Sequence, residues 1–430
     1  MPDIRRLLIA CRGVPARRIL RALDGGDIEA AVITSDADEQ ARWPLAASYA
    51  MYIAHREGHL WPLPSEIVGV SLDAGCDIVH PGWGWLARSA ELAGRLKGTG
   101  LQSVGAGHEL LNVAADRVQI RLAAAHVGIL VVPGSEAITE LSEAERWLTS
   151  IGFPSIAKAI DGESGLLSIR LESLEQAREE LPALLDEGGI YLEREVVDAR
   201  EIEVLVIGNG SGEALTLGER ETSVQPGARR AFAESPVPGL VDGHAIRLRQ
   251  SAAALVSRLQ WPGLLSVRFL VTPDGRGYLL RLRPGLQPWH GVTELTLGVD
   301  LADAQVRIAL GERLGWEPHH LAEKGVAFCM RVFSTDSEER TLTGCHTPDS
   351  VRTDLGFEIG DRIAPGEEIL QIYISAPTRQ AAIVRARAAL DHVRVEGVRT
   401  NLSLFIRLFN LQEFWNGPLD RDRVNALLEA

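Results

Sequence analysis

Cysteine is scarce in this chain: four in 430 residues, at Cys11, Cys76, Cys329 and Cys345, far apart and without metal-type spacing. That excludes a disulfide-stapled scaffold and a cysteine-based zinc site. Cys11 and Cys76 stand in apolar contexts and read as small core residues, a usage that fits a reducing compartment and hence the cytoplasm. Positive charge is also short, with 44 Lys and Arg against 58 Asp and Glu, a net −14 and an isoelectric point near 5.3. Nucleic acid and anionic membrane surfaces are poor partners for such a chain. No stretch reaches the roughly 18 apolar residues of a membrane-spanning helix, and the opening apolar run is too short for a signal peptide. Repeats, low-complexity tracts and long flexible linkers are missing, so the domains are expected to pack closely. His55 and His59 have i, i+4 spacing but no third ligand, and read as a surface pair. No Ser-His-Asp or Cys-His motif context is found.

What is present is ordinary globular material: 46% hydrophobic, 24% charged, mean hydropathy +0.02. A chain of 430 residues predicts two or three domains. The first hundred residues alternate short apolar strands (7–11, 30–34, 77–79) with helical stretches (15–23, 65–74), a pattern that predicts an open parallel sheet covered by helices. A single helix is expected over 108–126. A smaller α/β unit follows, with strands at 155–159, 167–171 and 190–194. Ser142-x-x-Glu145 and Ser173-x-x-Gln176 read as capping boxes of its helices. From Glu201 the pattern turns antiparallel, with strands at 201–207 and 214–220. A hairpin of 264–272 and 277–283 then folds around Pro273-Asp274-Gly275. Gly208-Asn209-Gly210-Ser211-Gly212 joins two strands rather than a strand and a helix, so it reads as a hairpin turn and not a phosphate loop. Helices are expected at 243–259 and 294–314. The last hundred residues mix strands (327–333, 369–375) with helices (379–393, 402–409).

Asp77-Ile78-Val79-His80-Pro81-Gly82-Trp83-Gly84-Trp85-Leu86 is similar to the H-P-G-Y-G-F-L signature of biotin carboxylases, enzymes of the ATP-grasp superfamily. Ile9-Ala10-Cys11-Arg12-Gly13 with Arg17-Arg18-Ile19-Leu20-Arg21-Ala22 resembles that family's opening. Gly152-Phe153-Pro154 with Lys158, Val292-Thr293-Glu294, and Gly397-Val398-Arg399-Thr400-Asn401 continue the likeness in order to the end. The resemblance implies an N-terminal α/β domain over 1–112, an ATP-grasp domain over 113–320 with a lid at about 130–192, and a C-terminal α+β domain over 325–430. It also implies Mg-ATP activation of bicarbonate and carboxylation of carrier-bound biotin.

The site residues depart from that pattern. Arg268 and Arg281 stand where the family has magnesium-binding glutamates, Arg283 where it has asparagine, Gly285 where it has arginine, and Trp289 where a catalytic glutamate precedes His290. A guanidinium is cationic and has no lone pair for a metal; two such exchanges shift the local charge by about +4. Arg281 and Arg283, two apart, are expected on one strand face, with Leu280 and Leu282 toward the core. The three arginines either hold a phosphate or other anion, or pair with local acids such as Glu203 or Glu219 and fill the cleft. The lid, residues 160–167, keeps two glycines and gains Asp161 and Glu163. Lys158 survives at a nucleotide-contacting position, Arg117 replaces a family lysine, Glu193 matches an adenine-side position, and Gln225, in the matching stretch Ser223-Val224-Gln225, is a further nucleotide- or anion-binding candidate. Glu201 stands where histidine is usual. Arg230 replaces the mobile catalytic lysine, and Arg331 matches the family's arginine for biotin and bicarbonate.

These losses predict a biotin-carboxylase-like pseudoenzyme, a structural or regulatory subunit of a biotin-dependent acyl-CoA carboxylase assembly. No magnesium is expected, and neither ATP nor biotin as a required cofactor. The expected partners are an active biotin carboxylase subunit or a biotin carboxyl carrier protein, in a homo- or heterodimer. Arg18, Arg21 and Arg352 match positions near the family's dimer interface. Two rivals stand beside this reading: an active ATP-dependent carboxylase or ATP-grasp ligase with an atypical site, and a metal-independent sensor of nucleotide or anion.

Overall fold

The computed structural model describes residues 6–38, 41–54, 62–160, 168–186, 188–225, 229–317, 321–418 and 420–429. His55, His59, the lid stretch 161–167 and residues 226–228 lie outside them.

Apolar residues buried on both faces build the first sheet. Its five parallel strands are β1 (Arg6–Ile9), β2 (Glu29–Thr34), β3 (Tyr49–Tyr52), β4 (Ile78–His80) and β5 (Gln102–Ser103), in the order β3-β2-β1-β4-β5. Leu7 and Ile9 pack into one core cluster and Leu8 into another, because successive side chains leave a strand on opposite faces. Helices α1 (Gly13–Leu23), α2 (Pro64–Asp73) and α3 (Ala90–Leu96) cover the sheet. The edge strand β3 was not expected, and its residues are largely exposed. The helix expected over 108–126 is two: α4 (His108–Ala115) ends where the Asp116 carboxylate accepts the Val118 and Gln119 N–H groups and caps α5 (Arg117–His126).

After the short β6 (Leu130–Val131), a separate three-stranded unit forms. It holds β7 (Ser155–Ala159), β8 (Ser168–Leu171) and β9 (Ile190–Arg194), with α6 (Leu141–Ile151) and α7 (Leu174–Leu185) against it. Ser173 caps α7 by accepting the Gln176 N–H, but Gln176 reaches the Glu172 N–H instead of closing the box. Ser142 lies inside α6 and caps nothing.

Next come β10 (Arg200–Asn209), β11 (Ala214–Glu221), β12 (Phe232–Ser235), β13 (Pro262–Val271), β14 (Gly277–Pro284) and β15 (Val326–Phe333), with α8 (Asp242–Arg258), α9 (His290–Leu297) and α10 (Leu301–Ala309). The expected helix over 294–314 is broken because Gly298 takes a left-handed φ of 72° and the Asp300 side chain starts α10. The C-terminal region adds β16 (Arg340–Thr341), β17 (Gly344–His346), β18 (Arg352–Leu355), β19 (Arg362–Ile363), β20 (Glu368–Ala376) and β21 (Arg394–Glu396). One sheet of nine strands, β18-β20-β15-β12-β11-β10-β13-β14-β6, runs from this region to β6. Helices Arg379–Leu390 and Leu402–Asn410 pack on its C-terminal part, around Phe232, Phe328, Phe405 and Phe409. Among the described residues no helix is long and apolar enough to cross a membrane.

Candidate functional site

Antiparallel register aligns four charged residues across four strands. Arg220 on β11 faces Glu203 on β10, Glu203 faces Arg268 on β13, and Arg268 faces Arg281 on β14. The row reads cation, anion, cation, cation. Glu203 is fully buried and is held by Arg220 and by Arg268 Nε at 2.8 Å, while the Trp289 indole N–H donates to it at 3.1 Å. Burial alone would raise this carboxyl; Arg220, Arg268 and the Ser266 and Trp289 hydrogen bonds outweigh it and hold it at about 2. Glu201, also buried, is held by Arg230 and lies 3.7 Å from Arg268 Nη1. Arg268 thus pairs with Glu203, and Glu219 is engaged elsewhere, by Arg249 at 2.5 and 2.9 Å.

Arg281 and Arg283 are different. Among the described residues neither guanidinium has a carboxylate within 4.0 Å, and Arg281 Nε is buried with no hydrogen-bond partner. Burial, then the charge of Arg117, pulls the Arg281 guanidinium down to about 9. Arg283 is pulled well below its usual range by burial, then by Arg268 and Arg281. A guanidinium holds its proton tenaciously, so this downward pull is a demand for negative charge. The expected strict alternation fails here: the register slips between Arg268 and Phe269, Leu280 becomes the extra residue of a bulge, and Leu279 and Leu282 are the pair that reaches the core.

Trp289 packs into the core beside the ion row, with Ala233, Val292 and Tyr373. It is 2% exposed, with its ring 5.2 Å from the Arg268 guanidinium and 5.8 Å from that of Arg331. Arg331 makes a two-pronged pair with Glu368 at 2.7 and 2.8 Å and donates to the Arg230 carbonyl at 2.9 Å. Gly285 turns the chain from β14 toward Trp289 at φ 77°, a conformation that favours glycine. Lys158 is buried against Glu193, and burial lowers it to about 8 despite that partner. Arg117 lies 6.0 Å above the Tyr191 ring, beside the same opening. Gln225 stands apart, its backbone N–H donating to Asn425.

Sequence reasoning missed Arg220, which strand alternation gives no reason to place inside because the second half of β11 is buried throughout. It also missed the network joining the domains. Arg18 binds Glu294 at 2.8 Å and Asp300 at 2.7 Å. Arg21 binds Asp354 at 2.5 Å, and Arg352 binds Glu294 at 2.7 Å. His80 is buried and neutral, lowered by burial to about 3, and its Nδ1 accepts the Gly82 N–H to shape the following loop.

Magnesium asks for hard oxygen ligands. Positions 268, 281 and 283 give it guanidinium groups, and Glu201 and Glu203 are already spent on arginines, so these side chains do not fit the ion.

Comparison with known proteins places the whole chain. Residues 3–111 match the biotin carboxylase N-terminal domain, 116–316 the ATP-binding domain of the carbamoyl-phosphate synthase L chain, and 338–425 the biotin carboxylase C-terminal domain. Biotin carboxylase 2 of Bacillus subtilis is 28% identical over 97% of this chain and 98% of its own length. The mitochondrial methylcrotonoyl-CoA carboxylase subunit alpha of rat is 28% identical over 98% of this chain, which spans 62% of that protein. The biotin carboxylase domain dimer of Hydrogenobacter thermophilus 2-oxoglutarate carboxylase, in complex with MgADP, ADP and bicarbonate, shares the fold with a TM-score of 0.93. Its identity is 24% over 99% of both chains. A Campylobacter jejuni biotin carboxylase nucleotide complex gives 0.90, at 24% identity over 98% of both. The MgADP complex overturns the expectation of no magnesium and no required nucleotide: a biotin carboxylase domain of this fold binds both. The domain order, the motifs and the relatives agree, and the chain belongs to the biotin carboxylase family.

Proposed function

We propose that the chain is a subunit of a biotin-dependent acyl-CoA carboxylase assembly that takes an adenine nucleotide in the cleft beside the arginine hairpin without turning it over. The single observation that carries the reading is the closed row Arg220–Glu203–Arg268 with Trp289 seated on Glu203. Where the family resemblance calls for carboxylates that work on the phosphates, this chain has a carboxylate already paired with two arginines within the protein. Arg281 and Arg283 remain as the cations that meet the phosphates, and the nucleotide's magnesium belongs to its own phosphates in this reading. Arg230, engaged by Glu201, has no free ammonium to offer. The assembly partner in this reading is an active biotin carboxylase or a biotin carrier, in the cytoplasm, with units of 1–112, 113–320 and 325–430.

The test is ATP turnover with magnesium, bicarbonate and free biotin beside an active biotin carboxylase, together with a titration of ADP. We expect ADP to bind and turnover to lie at least about a hundredfold below the control, or some 2.7 kcal/mol of barrier. Turnover within about tenfold of the control overturns the reading. The second reading, an active carboxylase with an atypical site, is favoured by the names of its relatives and by the survival of Lys158, Glu193 and Arg331. The same assay separates the two.

A further inference from the structure

The three-stranded unit of β7, β8 and β9 branches off after β6 and returns to the nine-stranded sheet through residues 195–199, which lead into β10. Asp198 turns this connection at a left-handed φ of 53°, a backbone state that few residues other than glycine adopt. Glu195 is buried at its start. The Glu195 N–H donates to the Pro154 carbonyl at 3.0 Å, and its carboxylate accepts Arg170 Nε of β8 at 2.6 Å. The Arg194 N–H donates to the Pro133 carbonyl at 2.9 Å, so the outgoing and returning connections run side by side.

A helix of the C-terminal region, Arg421–Glu429, reaches this place. Its Val424 and Leu428, one turn apart, are each 1% exposed and fix one face in the C-terminal core. Arg421 and Asn425, also one turn apart, lie on the adjacent face. The Arg421 N–H is in the first turn and has no partner within the helix; it donates to the Ala199 carbonyl at 3.2 Å. The Arg421 guanidinium lies 3.8 Å from Glu195 and 3.0 Å from its neighbour Asp422. Asn425 accepts the Gln225 N–H at 2.9 Å. Pro418, ahead of the helix, stands where a Cβ on Gly239 would meet it at 3.3 Å. One helix therefore holds the C-terminal core on one face and the returning connection on the next.

We infer that the helix Arg421–Glu429 is a latch on the returning connection of the three-stranded unit, with Arg421 and Asn425 as its contacts. Through it the C-terminal region restrains how that unit moves against the nine-stranded sheet. The inference goes beyond the proposed function, because it concerns the unit's motion and holds whatever the cleft binds.

The test is amide hydrogen exchange of the full chain without nucleotide. It compares the parent with Arg421→Ala/Asn425→Ala and with Arg423→Ala, at an exposed position of the same helix. In the double variant the Arg194 and Glu195 amides should exchange at least about tenfold faster, while those in the middle of β10 keep their rates. Arg423→Ala should leave both sets unchanged. Arg421→Ala alone, with about a threefold rise at the same two amides, serves if the double variant does not fold. Unchanged Arg194 and Glu195 amides overturn the inference. So does equal acceleration in the middle of β10, which is general loosening and not a latch, or an equal effect of Arg423→Ala. No nucleotide enters the measurement, so its failure is distinct from failure of the proposed function.

Discussion

Glu203 carries more of the cleft than any other side chain. It pairs with both Arg220 and Arg268 in a site without water exposure and accepts the Trp289 indole hydrogen bond. Breaking a buried pair from one side leaves the other charge uncompensated. Glu203→Gln should therefore destabilise the chain by about 3–5 kcal/mol in urea denaturation. Arg95→Ala, at an exposed pair with Glu91, should change stability by less than about 0.5 kcal/mol. A Glu203→Gln effect no larger than the Arg95→Ala effect would show that the row is not a structural ion cluster. The sequence made Glu203 visible as an acid within reach of the hairpin arginines. It could not show that Arg220 closes the row from the other side, since that pairing depends on register across strands distant in sequence.

Among the elements, β14 shows where pattern reading stops. Its existence and its arginines were legible from the apolar run around Pro273-Asp274-Gly275. The bulge was not, because one extra residue shifts Leu280 out of phase and leaves composition untouched. The helix breaks at Asp116 and Gly298 did carry signals, an N-capping acid and a left-handed glycine, within otherwise helical runs. Gly285 is a further backbone requirement. Gly285→Ala should cost about 1–3 kcal/mol, from positive φ and from a Cβ placed 3.4 Å from the Ala87 Cβ. Gly285→Arg carries the same strain, so restoring the family's arginine alone should not raise turnover. A neutral Gly285→Ala in thermal unfolding would remove this account of the turn.

For the molecule as a whole, the nine-stranded sheet and the arginine–carboxylate network tie α1, α9 and β18 into one body, and pH should loosen it in two stages. Burial lowers His80 from 6.5 to about 3, so the unfolded chain takes up its proton first and stability falls as pH drops below about 6.5. Burial would raise Glu294, but His290, Arg18 and Arg352 outweigh it and hold it at about 2. Its contribution is present above 4.5 and lost as pH falls toward 2. His80→Gln should remove the first stage, so that the gap in melting temperature between it and the parent narrows from about pH 7 to pH 5. A constant gap would mean His80 titrates normally in the fold. At this scale the three-domain order was readable from motifs spread along the chain. The pairing of Arg18 and Arg21 was not, because their acids Glu294 and Asp354 lie 276 and 333 residues away in sequence.

The central claim is that the cleft holds a nucleotide and does not cleave it. Single-turnover mixing of labelled ATP with excess protein, magnesium and bicarbonate tests it most directly. The account predicts that bound ATP is recovered intact after many turnover times of an active biotin carboxylase. Release of one equivalent of phosphate per bound ATP on that enzyme's timescale would contradict it.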